Sequence, residues 1–447
     1  MLKEVIFIKL CPSVCILQEL KRTHSTRDVL RSPEGTEVKL LGWVAVKNQV
    51  GGVVFIRLRD GTGYVQLSGR KGKIPNESWE EATRATTESA VYAEGVVKDD
   101  PRAPFGKEVT INKFKVIAPA EPWPLRKSLL KSRSALYDLR HLAIRGRRSS
   151  AVLKVRSELI RAVFEYFYGH GYVYIQTPIL VGSAVEGGAT LFSLKYFDEV
   201  AYLSQSAQLY EEAAICSLDR VFIFQPAFRA EKSKTTRHLT EFWMIESELA
   251  FTELDELLTV EEELVHHMAK HVSERCTGEL EVLGKKLMVP EPPFPRIDYT
   301  EALQIAERKG IKIEWGEDLG TEAERVVSQS FEKPVFVKGY PLSARSFYHM
   351  EDPHRKGVSM SADLLAGGIE IATGGQRIHD YDVLLQRVVE HGLDPERMKW
   401  YLELRKYGMP PHSGFGLGVE RALKWMLDLK HIRAASIFPR TPNRLYP

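Results

Sequence analysis

Cysteine is scarce in this sequence: Cys11, Cys15, Cys216 and Cys276 are the only four among 447 residues. That scarcity excludes a disulfide-stapled scaffold and argues for a reducing compartment, so the expected location is the cytoplasm. Cys11 and Cys15 have no second ligand pair near them, which argues against a zinc site. Long apolar runs are missing as well. The opening MLKEVIFIKLCPSVCILQELKR is broken by Lys9 and is followed by no small-residue cleavage site. It therefore reads as neither signal peptide nor membrane span. Internal repeats and low-complexity tracts are absent, and so is a Walker A pattern, which excludes an ordinary P-loop. The formal net charge of +3 is too small to name a partner by itself.

What is present is enough for a large core. The chain is too long for one ordinary domain, and 44% apolar with 27% charged residues mark a globular protein. Residues 36 to 120 carry the runs VKLLGWVAV, VVFIRLRD, YVQLSG, SAVYAEGVVK and EVTINKFKVI. Gly51-Gly52, Asp60-Gly61 and Asp99-Asp100-Pro101 punctuate them, and a helical pattern lies at 78 to 88. Five strands and one helix predict a small OB-type β-barrel, with a sandwich or SH3-like barrel as the alternative. Basic and aromatic residues on one barrel face would suit single-stranded nucleic acid, whose bases stack on rings.

Charge then concentrates. Residues 121 to 150 hold eight Lys/Arg against two Asp/Glu, whereas 36 to 120 hold 13 against 10. Such a basic hinge either tracks a phosphate backbone or is a solvated linker. Residues 1 to 35 read as an extension. From 151 to 168, apolar residues at 155, 159, 160, 163, 164 and 167 form one helical face, stopped by Gly169 and Gly171. VYIQTPIL follows as a strand, then LFSLKYF, AYLSQS, RVFIFQPAFRAE and EFWMIESELAF. Strand follows strand without long crossovers, so 151 to 447 reads as an α+β domain with a largely antiparallel sheet. Residues 252 to 345 look like a helix-rich insertion.

Three stretches carry chemistry. FRAEKSKTTRHLTEF (228–242) reads as a hairpin whose first strand runs to Glu231 and whose second resumes near His238. Arg229 and Arg237 are forked donors suited to phosphate or carboxylate, and Phe242 is a flat surface for a base. SGFGLGVERAL places Arg421 at a helix start, where backbone N–H groups also favour anions. GGIEIATGGQRIHDYD sets Glu370 and Arg377 seven apart across a Gly-Gly turn, and a carboxylate there suits magnesium beside a polyphosphate. Each stretch alone fits a surface ion-pair lattice. Together they supply what a nucleoside triphosphate needs.

Together with the 151–168 helix, these stretches resemble the motif set of class II aminoacyl-tRNA synthetases, of the aspartyl/asparaginyl subgroup and most like its archaeal asparaginyl type. Motif 1 would be the 151–168 helix with GYVYIQTPIL and Pro178, motif 2 residues 228 to 242, and motif 3 GFGLGVERAL. The resemblance spans about residues 36 to 447, through the closing IFPRTPNRLYP. It implies an OB-fold anticodon-binding domain, a hinge, and an antiparallel catalytic sheet flanked by helices. It also implies a homodimer through motif 1, with ATP and Mg²⁺ at the site and tRNA as partner.

Position by position, the resemblance implies that Arg229, Arg421 and Glu370 are catalytic. Arg229 would take the α-phosphate and the amino-acid carboxylate, and Glu231 the adenine amino group. Arg237 and His238 would reach the γ-phosphate, with Leu239 beside them, and Phe242 would stack on adenine. Arg421, with Gly418 at its helix start, would cover the other adenine face and reach the γ-phosphate. Glu370 would coordinate magnesium, joined by Asp363 and by Thr373, which stands where the family often has Ser. Glu186 in SAVEGGAT would close on the substrate ammonium, helped by Ser206 and Gln208. Arg377 would face the substrate side chain. In the barrel, Phe55, Gln66 and Asn48 match anticodon-contacting positions, though Asn48 stands where aspartyl enzymes are often basic.

The amino acid is read from one position. Aspartyl enzymes carry a lysine three residues after the glutamine of SQSAQLY, and here that place is Glu211. If it points inward, an aspartate side chain about 4 Å away at an effective dielectric near 20 costs roughly 4 kcal/mol, about a thousandfold. An asparagine amide escapes that cost. The expected activity is therefore ATP-dependent activation of asparagine and its transfer to tRNA(Asn), with an aspartyl enzyme, strict or charging both tRNAs, as the alternative. A synthetase-like asparagine synthetase would lack the barrel, and a silent RNA-binding module would not need Arg229, Glu370 and Arg421.

Overall fold

Residues 20–125, 129, 132–182, 190–232 and 235–447 are described by a computed structural model, and the chain divides into two units, Met1–Ser132 and Arg133–Pro447. Residues 1–19, part of the basic stretch and Glu186 lie outside the described residues.

Period-two alternation builds the first unit. In β2 (Val53–Arg59), Val54, Ile56 and Leu58 are fully buried, while Phe55, Arg57 and Arg59 between them stay partly exposed. β1 (Glu37–Val50), β2, β3 (Tyr64–Arg70), β4 (Ala90–Asp99) and β5 (Lys107–Ala118) close into a barrel in the order β1-β2-β3-β5-β4. The parallel β3–β5 pair is the closing seam. A helix, Asn76–Arg84, packs on β5, where the Ser78 hydroxyl and the Glu81 carboxylate accept from the Phe114 and Val116 amides. It ends four residues before the sequence pattern does. The Thr86 and Ser89 hydroxyls form a turn 2.9 Å apart, and Glu88 takes a positive φ of 71°. Residues ahead of 36 join this unit too: the helix Thr26–Arg31, capped by Ser25 and Asp28, seats Val29 in the barrel core.

The second unit is built on an eight-stranded sheet in the order β12-β13-β14-β15-β16-β11-β10-β6. Its members are β6 (Val173–Tyr174), β10 (Arg220–Phe228), β11 (Glu241–Ala250), β12 (Arg296–Asp298), β13 (Val335–Lys338), β14 (Ser361–Ala366), β15 (Ile369–Gln376) and β16 (His412–Gly418). Only the two edge pairs, β12–β13 and β10–β6, run parallel. A separate three-stranded sheet joins β7 (Leu180–Val181), β9 (Glu199–Leu203) and β8 (Ser193–Tyr196). VYIQTPIL is thus not one strand. Its two ends pair in different sheets, and Pro178, lacking an N–H, sits in the irregular link between them.

Long helices cover one face of the large sheet. Helix Arg147–Gly169 buries Val155, Leu159, Val163 and Phe167 completely, with Phe167 stacked on Phe222 at 4.5 Å. Helix Leu254–Arg275 buries Leu257, Leu258, Leu264 and Val265 in the same core. The stretch read as a helix-rich insertion also supplies β12 and β13, so part of it extends the sheet. Within the basic stretch, Arg140 is buried and donates to the Ile437 and Ser436 carbonyls, and Arg148 donates to the Leu283 carbonyl. Those two guanidiniums are structural.

Because Phe167 is fully buried against Phe222, Phe167→Ala is expected to destabilise the second unit by about 3–5 kcal/mol, read from urea unfolding. A loss under 1 kcal/mol would contradict the packing described.

Candidate active site

β10 and β11 pair from Arg220↔Leu249 to Phe228↔Glu241, so the first strand stops at Phe228 rather than at Glu231. Residues beyond it form a loop, tied back where the Arg229 amide donates to the Thr240 carbonyl at 3.1 Å. This brings the loop's charges over the sheet. The Arg229 guanidinium carbon lies 5.6 Å from the Phe242 ring centre, an arrangement in which the ring's π face attracts the cation. His238 meets the Thr235 hydroxyl at 2.7 Å. Burial, and then the Arg421 charge, lower its pKa, which favours the neutral ring.

The sheet supplies the opposite wall. A register shift between Leu364 and Leu365 leaves Ile371 without a partner in β14. In a regular strand Glu370 and Thr373 would face opposite sides, and this bulge lets both line the same cavity. Thr373, Gly375 and Arg377 then share a face by alternation. The Gly374-Gly375 pair is inside β15 and makes no turn. A Cβ on Gly374 would meet Glu261 Oε1 at 2.5 Å, and one on Gly375 would meet the His349 ring at 2.7 Å. Close approach from both faces explains the two glycines.

Arg421, in the first turn of helix Val419–Met426, donates to the Glu370 carboxylate at 2.8 Å and to its carbonyl at 3.0 Å. One cavity of about 390 Å³ is lined by Arg229, Arg421 and Glu370 together, and also by Glu231, Arg237 and His238. Leu239, Phe242 and Gly418 border it as well. The three stretches singled out in the sequence do converge.

Asp363 does not border the cavity but reaches it through Thr373. The single Thr373 hydroxyl lies 2.8 Å from Asp363 Oδ1 and 3.1 Å from Glu370 Oε1. One hydroxyl proton cannot serve two carboxylate oxygens at once. Arg345, whose guanidinium donates to Asp363 at 2.6 Å, balances part of the charge. Hard oxygen donors next to a polyphosphate-sized cavity are the ligand type that Mg²⁺ takes.

At the far end lie Ser206, Gln208, Glu211 and Arg377. Glu211 points inward: it is completely buried, and neither carboxylate oxygen has a hydrogen-bond partner among the described residues. Burial, then the Glu246 and Glu248 carboxylates, hold its pKa well above the usual carboxylate range. The shift favours the uncharged form of Glu211, which weakens the repulsion that the sequence argument assigned to it. Arg377 is gripped by Glu248 through Nη2 at 2.6 Å and Nε at 3.1 Å, with both side chains under 5% exposed. Burial opposes the Arg377 charge, and Glu248 more than restores it.

Beneath them Glu212 accepts from Gln208 at 3.0 Å, from Tyr401 at 2.7 Å and from Arg405. Glu212, Glu248 and His412 have metal-ligand spacing, but Arg405, Tyr401 and Arg377 already occupy the carboxylates. The cluster is a buried scaffold for Gln208.

Sequence reasoning missed Glu246, Glu248, Arg345, Tyr348 and His349, all of which line the cavity. Glu246 and Glu248 carried a legible signal, two acids at strand spacing inside the apolar run EFWMIESELAF. His349 gave none.

In the barrel, Phe55 pairs across to Asn48 and Ser68, and neighbouring Arg57 pairs to Gln66. Cross-strand partners point the same way, so Phe55, Gln66 and Asn48 share one outer face with Arg57. Gln66 also donates to Glu108 at 2.9 Å.

A triphosphate-sized cavity walled by arginines, on an antiparallel sheet in a chain that also carries a closed barrel, defines a nucleotide-using enzyme with a nucleic-acid partner. The chain belongs to the class II tRNA synthetases of the D, K and N group, whose family pattern matches residues 132–442, and residues 38–117 match the OB-fold nucleic acid binding domain. The asparagine–tRNA ligase of Pyrococcus furiosus is 50% identical over 93% of this chain and 97% of its own length. That of Thermococcus gammatolerans is 49% identical over 94% and 98%. The asparaginyl-tRNA synthetase of Pyrococcus horikoshii complexed with asparaginyl-adenylate superposes with a TM-score of 0.91 at 46% identity, covering 96% of this chain and all of that one. A putative aspartyl-tRNA synthetase from Leishmania major gives 0.86 at 26% identity, with 96% of each chain covered.

An acid whose folded pKa is raised costs stability as pH climbs above its unfolded value near ~4.3, because the unfolded chain releases the proton first. Glu211→Gln keeps the shape of the neutral carboxyl and cannot ionise. Its melting temperature is expected to exceed the wild-type value at pH 8, with the gap closing toward pH 4.5 in calorimetry. A gap that is the same at both pH values would mean that folding does not raise the Glu211 pKa.

Proposed function

We propose that this chain activates asparagine with ATP and transfers it to the terminal 3′-hydroxyl of tRNA(Asn). The observation that carries the choice of amino acid is the state of Arg377, whose charge Glu248 already balances through two contacts. A substrate carboxylate arriving there would add net negative charge beside Glu246 and Glu211. A neutral amide can accept from Arg377 and donate to a carboxyl at no such cost.

The chemistry joins two anions. The asparagine carboxylate oxygen bonds to the α-phosphorus of ATP, and the bond to pyrophosphate breaks. The tRNA hydroxyl then attacks the carbonyl, and AMP departs. Such steps need cations and positioning more than an acid or a base. In this reading Arg229 meets the α-phosphate and the substrate carboxylate, while Arg421, Arg237 and His238 attend the β,γ end. Phe242 carries the adenine ring, Glu231 its amino group, and Leu239 and Gly418 border it. Glu370, Asp363 and Thr373 would hold Mg²⁺, which when bound offsets phosphate charge. Ser206, Gln208 and Glu186 orient the ammonium end, and Glu211, Thr373 and Arg377 enclose the side chain. Phe55, Gln66 and Asn48 read the anticodon. A homodimer through the 151–168 helix and a cytoplasmic location complete the proposal. No helix among the described residues is long and apolar enough to cross a membrane.

Pyrophosphate exchange into ATP should depend on asparagine and run at least about a hundredfold slower with aspartate, as a buried uncompensated charge requires. Exchange driven by aspartate alone would reverse the specificity. Phe55→Ala should leave exchange unchanged and slow tRNA charging by about tenfold, the worth of one lost base stack. An equal loss in both assays would remove the barrel from tRNA recognition.

A further inference from the structure

The stretch 252–345 contributes a side chain that neither the resemblance nor the cavity lining picks out. Glu324 lies on helix Gly320–Gln329, whose Ala323 and Val327 are packed with Val335, Val337 and Tyr340 in a core of their own. Its Oε2 accepts from Arg237 Nη1, and the same oxygen accepts from the Glu370 backbone amide at 3.1 Å. The two side chains of the ion pair are 11% and 6% exposed. Arg237 borders the cavity and Glu324 does not. The Nε of Arg237 is buried and has no hydrogen-bond partner among the described residues.

We propose that Glu324 is a positioning residue for the triphosphate end of the site, one carboxylate oxygen fixing both the Arg237 guanidinium and the first residue of the metal-carboxylate segment of β15. The inference rests on the reading of this cavity as an ATP site. Glu324 grips one arm of the arginine fork and leaves another N–H for phosphate. A guanidinium held this way gives up little side-chain freedom when the anion arrives. The second bond ties the position of Glu370 to that of Arg237, so the groups on either side of a polyphosphate keep a set separation. Burial limits the screening of this pair by salt. A packed helix outside the three sequence motifs thereby sets the geometry of two of them.

A buried ion pair can also be structural alone, since removing either partner strands the other charge. The test therefore separates ATP from the amino acid. Full-length wild type, Glu324→Gln, Glu324→Ala, Arg237→Ala and the Arg237→Ala/Glu324→Ala double variant are compared well below their melting temperatures. Wild-type exchange with asparagine measures the reading of the site, and equilibrium binding of MgATP without amino acid measures the positioning whatever that result. Glu324→Ala is expected to weaken ATP, in KM and in binding, on the order of tenfold, the worth of a charge-assisted hydrogen bond. The KM for asparagine should stay within about twofold, and in the Arg237→Ala background the loss of Glu324 should add less than about twofold. Glu324→Gln, which keeps an acceptor oxygen, should recover part of the loss, and it carries the comparison if the alanine variant does not fold. Parallel rises in both KM values, or an undiminished extra loss in the Arg237→Ala background, would overturn the proposal.

Discussion

Arg377 and Glu248 meet inside the catalytic sheet with almost no solvent around either, and much of the site follows from that contact. A lone guanidinium there would be prohibitively costly, and a lone carboxylate equally so. Paired through two nitrogens, they form a nearly neutral unit whose remaining donor capacity can still be used. The network below repeats the solution with Glu212, Arg405, Tyr401 and His412, all fully buried or nearly so. Charge compensation inside the protein leaves the amino-acid end with no surplus of positive charge. At the other end, Arg229, Arg237 and Arg421 line the cavity together with Glu231 and Glu370. One cavity thus has a cationic end suited to polyphosphate and a compensated end suited to an uncharged side chain.

Much of this was legible in the chain. Barrel strands announce themselves by alternation, as Val54, Ile56 and Leu58 do, because one face of each must leave water. The helix over 151–168 is visible for the same reason at period 3.6, and the resemblance of 228–242 and GFGLGVERAL to family motifs points to Arg229, Arg237 and Arg421. What stayed hidden depends on contacts between segments distant in sequence. The bulge at Ile371 cannot be seen in β15 alone, since it is a mismatch with β14. Gly374-Gly375 reads as a turn until Glu261 and His349 are found pressing on either face. VYIQTPIL looks like one strand because its composition does not reveal that its ends pair with different sheets. Glu324 is invisible for the plainest reason. Nothing near it in sequence hints at a partner 87 residues away.

The source of amino-acid selectivity also changes once side-chain environments are known. With an ionised Glu211 the sequence argument was repulsion, roughly 4 kcal/mol from one like charge. The folded protein raises the Glu211 pKa, and a protonated carboxyl repels little. Selectivity then has to come from what is missing rather than from what is opposed. Aspartate would need a cation, and Arg377 on the cavity wall is already committed to Glu248. Binding aspartate would mean either sharing that arginine between two carboxylates or drawing a proton onto one of the acids, and both cost energy that the amide avoids. The protonated form that burial favours at Glu211 is a donor as well as an acceptor, so it can complement either end of an amide. Discrimination built this way does not depend on one exposed charge, and salt should erode it little, because every group involved lies away from solvent.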